Sequence, residues 1–272
     1  MTAALRAYYN RGHDKEPEVA ALVRGRAGVL REYGIPPSEM AKMEIMLPYA
    51  ATTNTVPTLF WLMSFIFSRP ALVATLRDEV APLATRTGPG RRDVVIDLSD
   101  AEARCPRLHA CYRETLRVTN HQTSPRVAVR DTVLSDGRGR SYLLKAGTDV
   151  HLSIGAAHLT EDVWGPDAGV FDPERLLGGG GKAQRQAYQP FGGGHHLCPG
   201  RNFAFIEIIA TVATLLLGYN VDTSDGRPWK VPGYAGWSMV DSIHKPLGEG
   251  KGLGIKMVKK KDWQGVRWTY KT

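Results

Sequence analysis

The chain has 272 residues, a formal net charge of +8 and three cysteines, Cys105, Cys111 and Cys198. That length holds one large domain or two small ones, and three sparse thiols, an odd count, imply no disulfide framework and fit a reducing compartment. The basic residues are scattered apart from a run over residues 256–261, with no aromatic ladder beside them. This pattern argues against nucleic acid as a partner and reads as a solvated surface or a docking face for an acidic protein.

The first residues turn polar quickly and are charged over 11–18, so no secretory signal is expected. Val19, Leu22, Val23, Val29 and Leu30 recur at helical spacing and predict a helix over 18–33, broken by Gly34-Ile35-Pro36-Pro37. Ser38 is expected to cap the next helix, whose body runs over 42–67. Residues 45–68 carry no charge, a stretch long enough to suggest a membrane span. Pro48, Asn54, Pro57 and the threonines at 52, 53, 55 and 58 interrupt it, so the expectation is a buried core helix kinked near Pro57. Ser68-Arg69-Pro70 opens a third helix over 71–83. Residues 87–92 read as a loop, and 100–118 as a fourth helix with an irregular start at Pro106.

The pattern then changes. Residues 126–133 and 141–144 are short strand candidates, joined by hairpin chemistry at Ser135-Asp136-Gly137-Arg138-Gly139. Residues 150–154 form another strand, 161–165 a short helix or turn, and 171–188 an extended, glycine-rich loop. A long apolar helix covers 203–217, and small strands near 220–221 and 252–257 close the chain. The fold class is mainly α with a small β component.

The chemistry concentrates at Phe191-Gly192-Gly193-Gly194-His195-His196-Leu197-Cys198-Pro199-Gly200. A lone cysteine follows a glycine-rich turn and precedes the apolar helix, where the helix dipole stabilises negative sulfur. A thiolate on a rigid turn is what a soft or borderline metal takes as an axial ligand. The bland alternative is an inert buried thiol, the reading given to Cys105 and Cys111. His195 and His196 are adjacent and point apart, which argues against a metal pair. The glycines at 178–181 before Lys182 lack the spacing of a phosphate loop, and Gly248-Glu249-Gly250 lacks the rest of a dinucleotide fingerprint. Trp164 and Phe171 read as packing residues. Glu114 and Arg117 lie three apart on one helical face and can pair. Arg175, in Phe171-Asp172-Pro173-Glu174-Arg175, adds a second arginine in a loop before the cysteine turn.

In this order the features resemble the cytochrome P450 family. The cysteine turn is similar to its haem signature at Phe191, Gly194, Cys198 and Gly200. Glu114 and Arg117 match its helix-K pair and Arg175 the third member of that set. The uncharged helix resembles its distal helix I. The resemblance runs from about residue 42 to the end of the cysteine helix, and implies the C-terminal part of the P450 fold, with residues 1–272 as one partial domain that begins just before helix I. It further implies haem b held by Cys198, with Arg126 and His196 at the propionates and Thr53, Asn54 and Thr55 on the oxygen side. Glycines 192–194 would let the backbone approach the porphyrin. Glu114, Arg117 and Arg175 would form a buried structural network.

Two departures qualify these expectations. Where the family usually carries an acid followed by a threonine, this chain has Thr53 and Asn54, which resembles the branch of sterol 7α-hydroxylases and prostacyclin synthase. Asn can hydrogen-bond a ligand but is no general acid. The second departure is that the family's N-terminal half, with its membrane anchor, is not in this sequence. The implied function is a haem-thiolate monooxygenase that hydroxylates an apolar small molecule with O2 and electrons from an NADPH-dependent reductase. A haem-dependent isomerase and a non-catalytic remnant remain as alternatives. An intracellular location is implied, the full-length relatives being mostly on the endoplasmic reticulum membrane and facing the cytosol.

Overall fold

The computed structural model describes residues 1–89, 92–236, 242–248 and 254–272, in two compact units, Met1–Asn54 and Thr55–Thr272. The Glu249-Gly250 part of the loop read above lies outside the described residues.

The first unit is helical: α1 (Thr2–Asn10), α2 (Ala21–Glu32) and α3 (Pro37–Thr53). Tyr9, Ala27, Met40 and Ala41 form its small core, with Leu5, Tyr8, Leu30 and Ile35 packed against them. Asp14 is buried beneath Arg31, whose guanidinium donates to both carboxylate oxygens at 2.5 and 2.7 Å and holds the carboxyl below the usual range. Two expectations shift here. The second helix starts at Ala21 rather than 18, because residues 16–19 close a turn in which the Val19 N–H donates to Glu16 O. Ser38 is not the cap of α3. Pro36 takes that position and Pro37 the first helical one, where the missing proline N–H has no intrahelical partner to lose.

The uncharged stretch also breaks elsewhere than expected. α3 ends at Thr53, and α4 (Thr55–Phe67) begins after Asn54, not at Pro57. Pro57 is the third residue of α4, inside the first turn, where backbone N–H groups have no helical acceptor. The Thr52 and Thr53 hydroxyls fold back onto the carbonyls of Pro48 and Tyr49, at 2.6 and 2.8 Å, just before the break. Burial divides at the same place. Met46 and Tyr49 of α3 are exposed, while Trp61, Leu62, Phe65 and Ile66 of α4 are buried. Only the second half of the stretch is a core helix.

The second unit continues with α5 (Pro70–Val80), a 3-10 turn (Ala81–Leu83), β1 (Ala84–Thr87), β2 (Asp93–Asp97), α6 (Ala101–Arg104) and α7 (Pro106–Thr119). Next come β3 (Thr123–Val127), β4 (Thr132–Ser135), β5 (Ser141–Leu144), β6 (Asp149–Ser153), α8 (Ile154–Leu159) and α9 (Glu161–Trp164). A 3-10 helix (Pro173–Leu176), α10 (Lys182–Ala187), α11 (Arg201–Gly218), β7 (Tyr219–Thr223), β8 (Ile255–Lys259) and β9 (Arg267–Lys271) complete it. β1 pairs antiparallel with β2, and β2 parallel with β9; β3–β6, β4–β5 and β7–β8 are antiparallel pairs. The run 126–133 is thus two strands of different sheets, separated at residues 128–131. Residues 171–188 are not all loop, since they hold the 3-10 helix and α10.

The core lies among α4, α5, α7 and α11, with Trp61, Leu76, Leu108, Cys111, Ile208, Val212 and Leu216 buried in it. α5 fixes two of these helices by charge. Glu79 accepts from the N–H groups of Arg107 and Leu108, both at 2.9 Å, in the first turn of α7. Arg77 donates to Leu216 O at 2.9 Å at the far end of α11, where Lys260 also donates to Leu216 O and Leu217 O. An anion therefore meets one helix N-terminus and two cations meet a C-terminus, the signs that the helix dipoles favour.

Candidate active site

The cysteine turn is closed by its own backbone. The Cys198 N–H donates to Phe191 O at 3.0 Å, and the Leu197 N–H donates to Gly194 O. Gly192 and Gly194 stand at φ 75° and 63°, a backbone region that glycine enters at no steric cost. Gly200 caps α11, so Cys198 lies two residues ahead of the helix cap, and its carbonyl accepts from Arg201 Nη1 at 3.1 Å. Phe191 packs against the main core and ties the turn to it.

The three thiols separate by environment. Cys105 and Cys111 are buried, and burial pushes them up to about 11 and about 12. Cys198 is half-buried. Around it in sequence, His196, Leu197 and Phe203 are exposed. Arg126, on β3 opposite Val150 of β6, is exposed too and donates to Ser124 Oγ and Pro125 O at 2.8 and 2.7 Å.

Beside the turn runs a buried polar network. Arg117 and Glu114 are both fully buried. Arg117 Nε and Nη2 donate to the two oxygens of Glu114 at 2.8 and 2.7 Å. The remaining donors are used as well: Nη1 reaches His158 O and Ala168 O, both at 2.7 Å. The guanidinium lies over the Trp164 ring, 4.8 Å from its centroid. Arg175 approaches Glu114 at 3.5 Å as an ion pair without a hydrogen bond, and binds Asp167 at 2.9 Å and Trp164 O at 2.5 Å. Removing one partner would leave a buried charge uncompensated, at a cost of roughly 3–5 kcal/mol. These bonds tie α7 to α8, α9 and the segment that leads into the cysteine turn.

Three residues of this neighbourhood carry no signal in the sequence reading. His158 is buried, and its Nε2 accepts the Gln189 N–H at 3.0 Å, two residues before Phe191. Burial, then the Arg117 charge, push its imidazole down to about 4. Glu79 holds the start of α7, and Tyr112 lies buried on that helix. A lone His, Glu or Tyr has no spacing partner to announce it. The glycines at 178–181 precede a helix of only six residues. Thr53 and Asn54 close the first unit, and Thr55 opens the second.

The residues fit a haem better than a bare ion. Among the described residues no group of three or more His, Cys, Asp or Glu could hold a metal, and Cys198 is a single half-buried thiol on its turn. Cys198 would supply the sulfur ligand, exposed Leu197 and Phe203 the apolar contact, and Arg126 and His196 hydrogen-bond donors for acidic side groups.

The decisive comparison is with protein families. Residues 37–240 match the family model described as Cytochrome P450. The chain belongs to the cytochrome P450 family. It is 38% identical to a cytochrome P450 monooxygenase of Gibberella zeae, over 94% of this chain and 50% of that protein. It is 31% identical to the cytochrome P450 monooxygenase nodJ of Hypoxylon pulicicidum, over 98% and 52%. It is 28% identical to 5-beta-cholestane-3-alpha,7-alpha-diol 12-alpha-hydroxylase of Sus scrofa, over 76% and 43%. Among solved structures, a crystal structure of a cytochrome P450 aligns with a TM-score of 0.62 at 23% identity, covering 82% of this chain and 46% of the other. This cytochrome P450 chain therefore spans about half the length of the relatives it matches.

Proposed function

We propose that this chain carries the haem-thiolate part of a monooxygenase, with Cys198 as the axial ligand and an apolar small molecule as substrate. The observation that carries the reading is the Cys198 turn. It presents a half-buried thiol on a glycine-shaped loop, while the other two cysteines are sealed in the core. Haem held there would supply dioxygen activation, drawing electrons from a separate NADPH-dependent reductase, and the thiolate would push electron density toward O–O cleavage.

The protein's own residues bind and orient. Arg126 and His196 offer donors to the two propionates. The Glu114–Arg117–Arg175 network keeps α7 and the turn in register. Asn54 and the flanking Thr53 and Thr55 would hydrogen-bond the oxygen-side ligand or its ordered water. Asn54 can orient a proton donor but does not act as one.

That limit favours a second reading, an isomerase that rearranges a peroxide without external electrons. The two differ in whether turnover requires the reductase and NADPH. Turnover that depends on both supports the monooxygenase, and full turnover without them supports the isomerase. Asn54→Ala is expected to reduce turnover while haem content, measured by absorbance, stays near the parent level. Equal loss of both would make Asn54 a structural residue.

A further inference from the structure

Three consecutive residues at the entry of the cysteine turn, Tyr188, Gln189 and Pro190, are each held by residues of α7, of α8 or of the end of α7. The Tyr188 ring stacks on the His158 ring, with centroids 5.6 Å apart, and its hydroxyl donates to Arg113 O at 3.1 Å. The Gln189 N–H donates to His158 Nε2 at 3.0 Å. Pro190 O accepts from Asn120 Nδ2 at 3.1 Å. His158 and Asn120 are 0% and 1% exposed. Buried polar side chains are nearly always paired, and these two direct their bonds to one short piece of backbone.

Both side chains are fixed independently of the turn. Asn120 follows the last residue of α7, and its Oδ1 accepts the Gln122 N–H at 2.9 Å, which leaves Nδ2 as the end that meets Pro190. The His158 carbonyl accepts from the buried Arg117 guanidinium at 2.7 Å. Because Nε2 accepts, the His158 ring is neutral and carries its proton on Nδ1. α8 also lies close against the segment that bears Asn120. The Ile154 N–H donates to Gln122 O at 2.9 Å, and a Cβ on Gly155 would stand 2.8 Å from His121 Cα, so the close approach needs glycine. His158 and Asn120 thus belong to one locked frame.

From that frame the constraint runs into the turn bond by bond. Gln189 O accepts the Gly192 N–H at 3.1 Å, and Phe191 O, next after Pro190, accepts the Cys198 N–H at 3.0 Å. The geometry points to His158 and Asn120 as positioning residues for the cysteine turn, a two-point clamp on the Gln189 N–H and the Pro190 carbonyl that sets where the Cys198 sulfur stands. The consequence for haem rests on the reading of Cys198 as the ligand. Groups that orient a ligand govern metal binding without touching the metal.

The first test needs no haem. Hydrogen–deuterium exchange of the full chain is followed by mass spectrometry over residues 189–200. His158→Leu removes the ring acceptor and leaves in place the carbonyl that Arg117 binds, and Asn120→Ala removes the donor to Pro190. Each is expected to speed exchange of the turn by about tenfold with α5 unchanged, because opening the turn no longer breaks that bond. His158→Gln, whose amide oxygen can take the Gln189 N–H, is expected to hold the parent rate. The parent rate in both His158→Leu and Asn120→Ala overturns the assignment. So does acceleration that α5 shares equally, or a His158→Gln rate as fast as that of His158→Leu. Should one of the variants fail to fold, the other decides.

The second test uses the haem-loaded, reduced chain under carbon monoxide. His158→Leu is expected to show a several-fold weaker thiolate-type band at equal haem content, and His158→Gln to keep it. A leucine variant with the full band overturns the positioning role. If Cys198→Ser kept that band, the ligand reading would fall instead, and the exchange comparison would still decide the clamp.

Discussion

At the scale of single residues, the chain separates polar groups that are buried with partners from those buried without. Glu114 and Arg117 announce themselves by spacing, because a Glu–Arg pair three apart faces one way on a helix. Their burial was an expectation of the family resemblance rather than of the spacing, and their carbonyl partners were not legible. His158 O, Ala168 O and Val170 O reach Arg117 only after forty or more residues have folded back. His158 illustrates the consequence. It is neutral in the fold with a pKa of about 4, against 6.5 when unfolded. Between those values the unfolded chain binds the proton and the native one does not, so stability rises with pH and is lost as pH falls from 6.5 toward 4. The loss attributable to His158 is on the order of 3 kcal/mol. His158→Gln keeps an acceptor for the Gln189 N–H and removes the titration. Urea denaturation at a series of pH values should show a flatter acid limb in that variant, and an equally steep limb would move the acid sensitivity elsewhere, His244 being the other imidazole pushed down to about 4.

At the scale of elements, the helices with strong apolar periodicity were readable, including α5, α7 and α11, and so was the β4–β5 hairpin with its Asp-Gly turn. β1, β2 and β9 were not. β2 pairs in parallel with β9 across more than 170 residues, so the pairing that makes it a strand is invisible locally. The break at Asn54 was displaced to Pro57 in the sequence reading because a proline looks like the stronger breaker. Proline in the first helical turn gives up no hydrogen bond, and the break falls instead where two threonines turn back on the backbone. Glu79 shows what local reading cannot supply, a helix cap that comes from another helix. Replacing it by Ala leaves two N–H groups of α7 without their anion. The expected cost is about 1–2 kcal/mol, read as a lower denaturant midpoint at unchanged slope. A midpoint equal to the parent's would show that water replaces the carboxylate without loss.

At the scale of the whole molecule, the family was legible because its marks are ordered along the chain: the uncharged helix, Glu114 and Arg117, Arg175, then the cysteine turn. Substrate identity was not, since no residue pattern here specifies one molecule over another. The account turns on whether the Cys198 sulfur bonds haem iron. The most direct measurement is the absorption spectrum of the haem-loaded, reduced chain under carbon monoxide, compared between the parent and Cys198→Ser. The parent is expected to show the red-shifted Soret band of a thiolate-ligated carbonyl complex, and the serine variant to lack it while retaining its fold by circular dichroism. A parent without that band, or a serine variant that keeps it, would contradict the assignment.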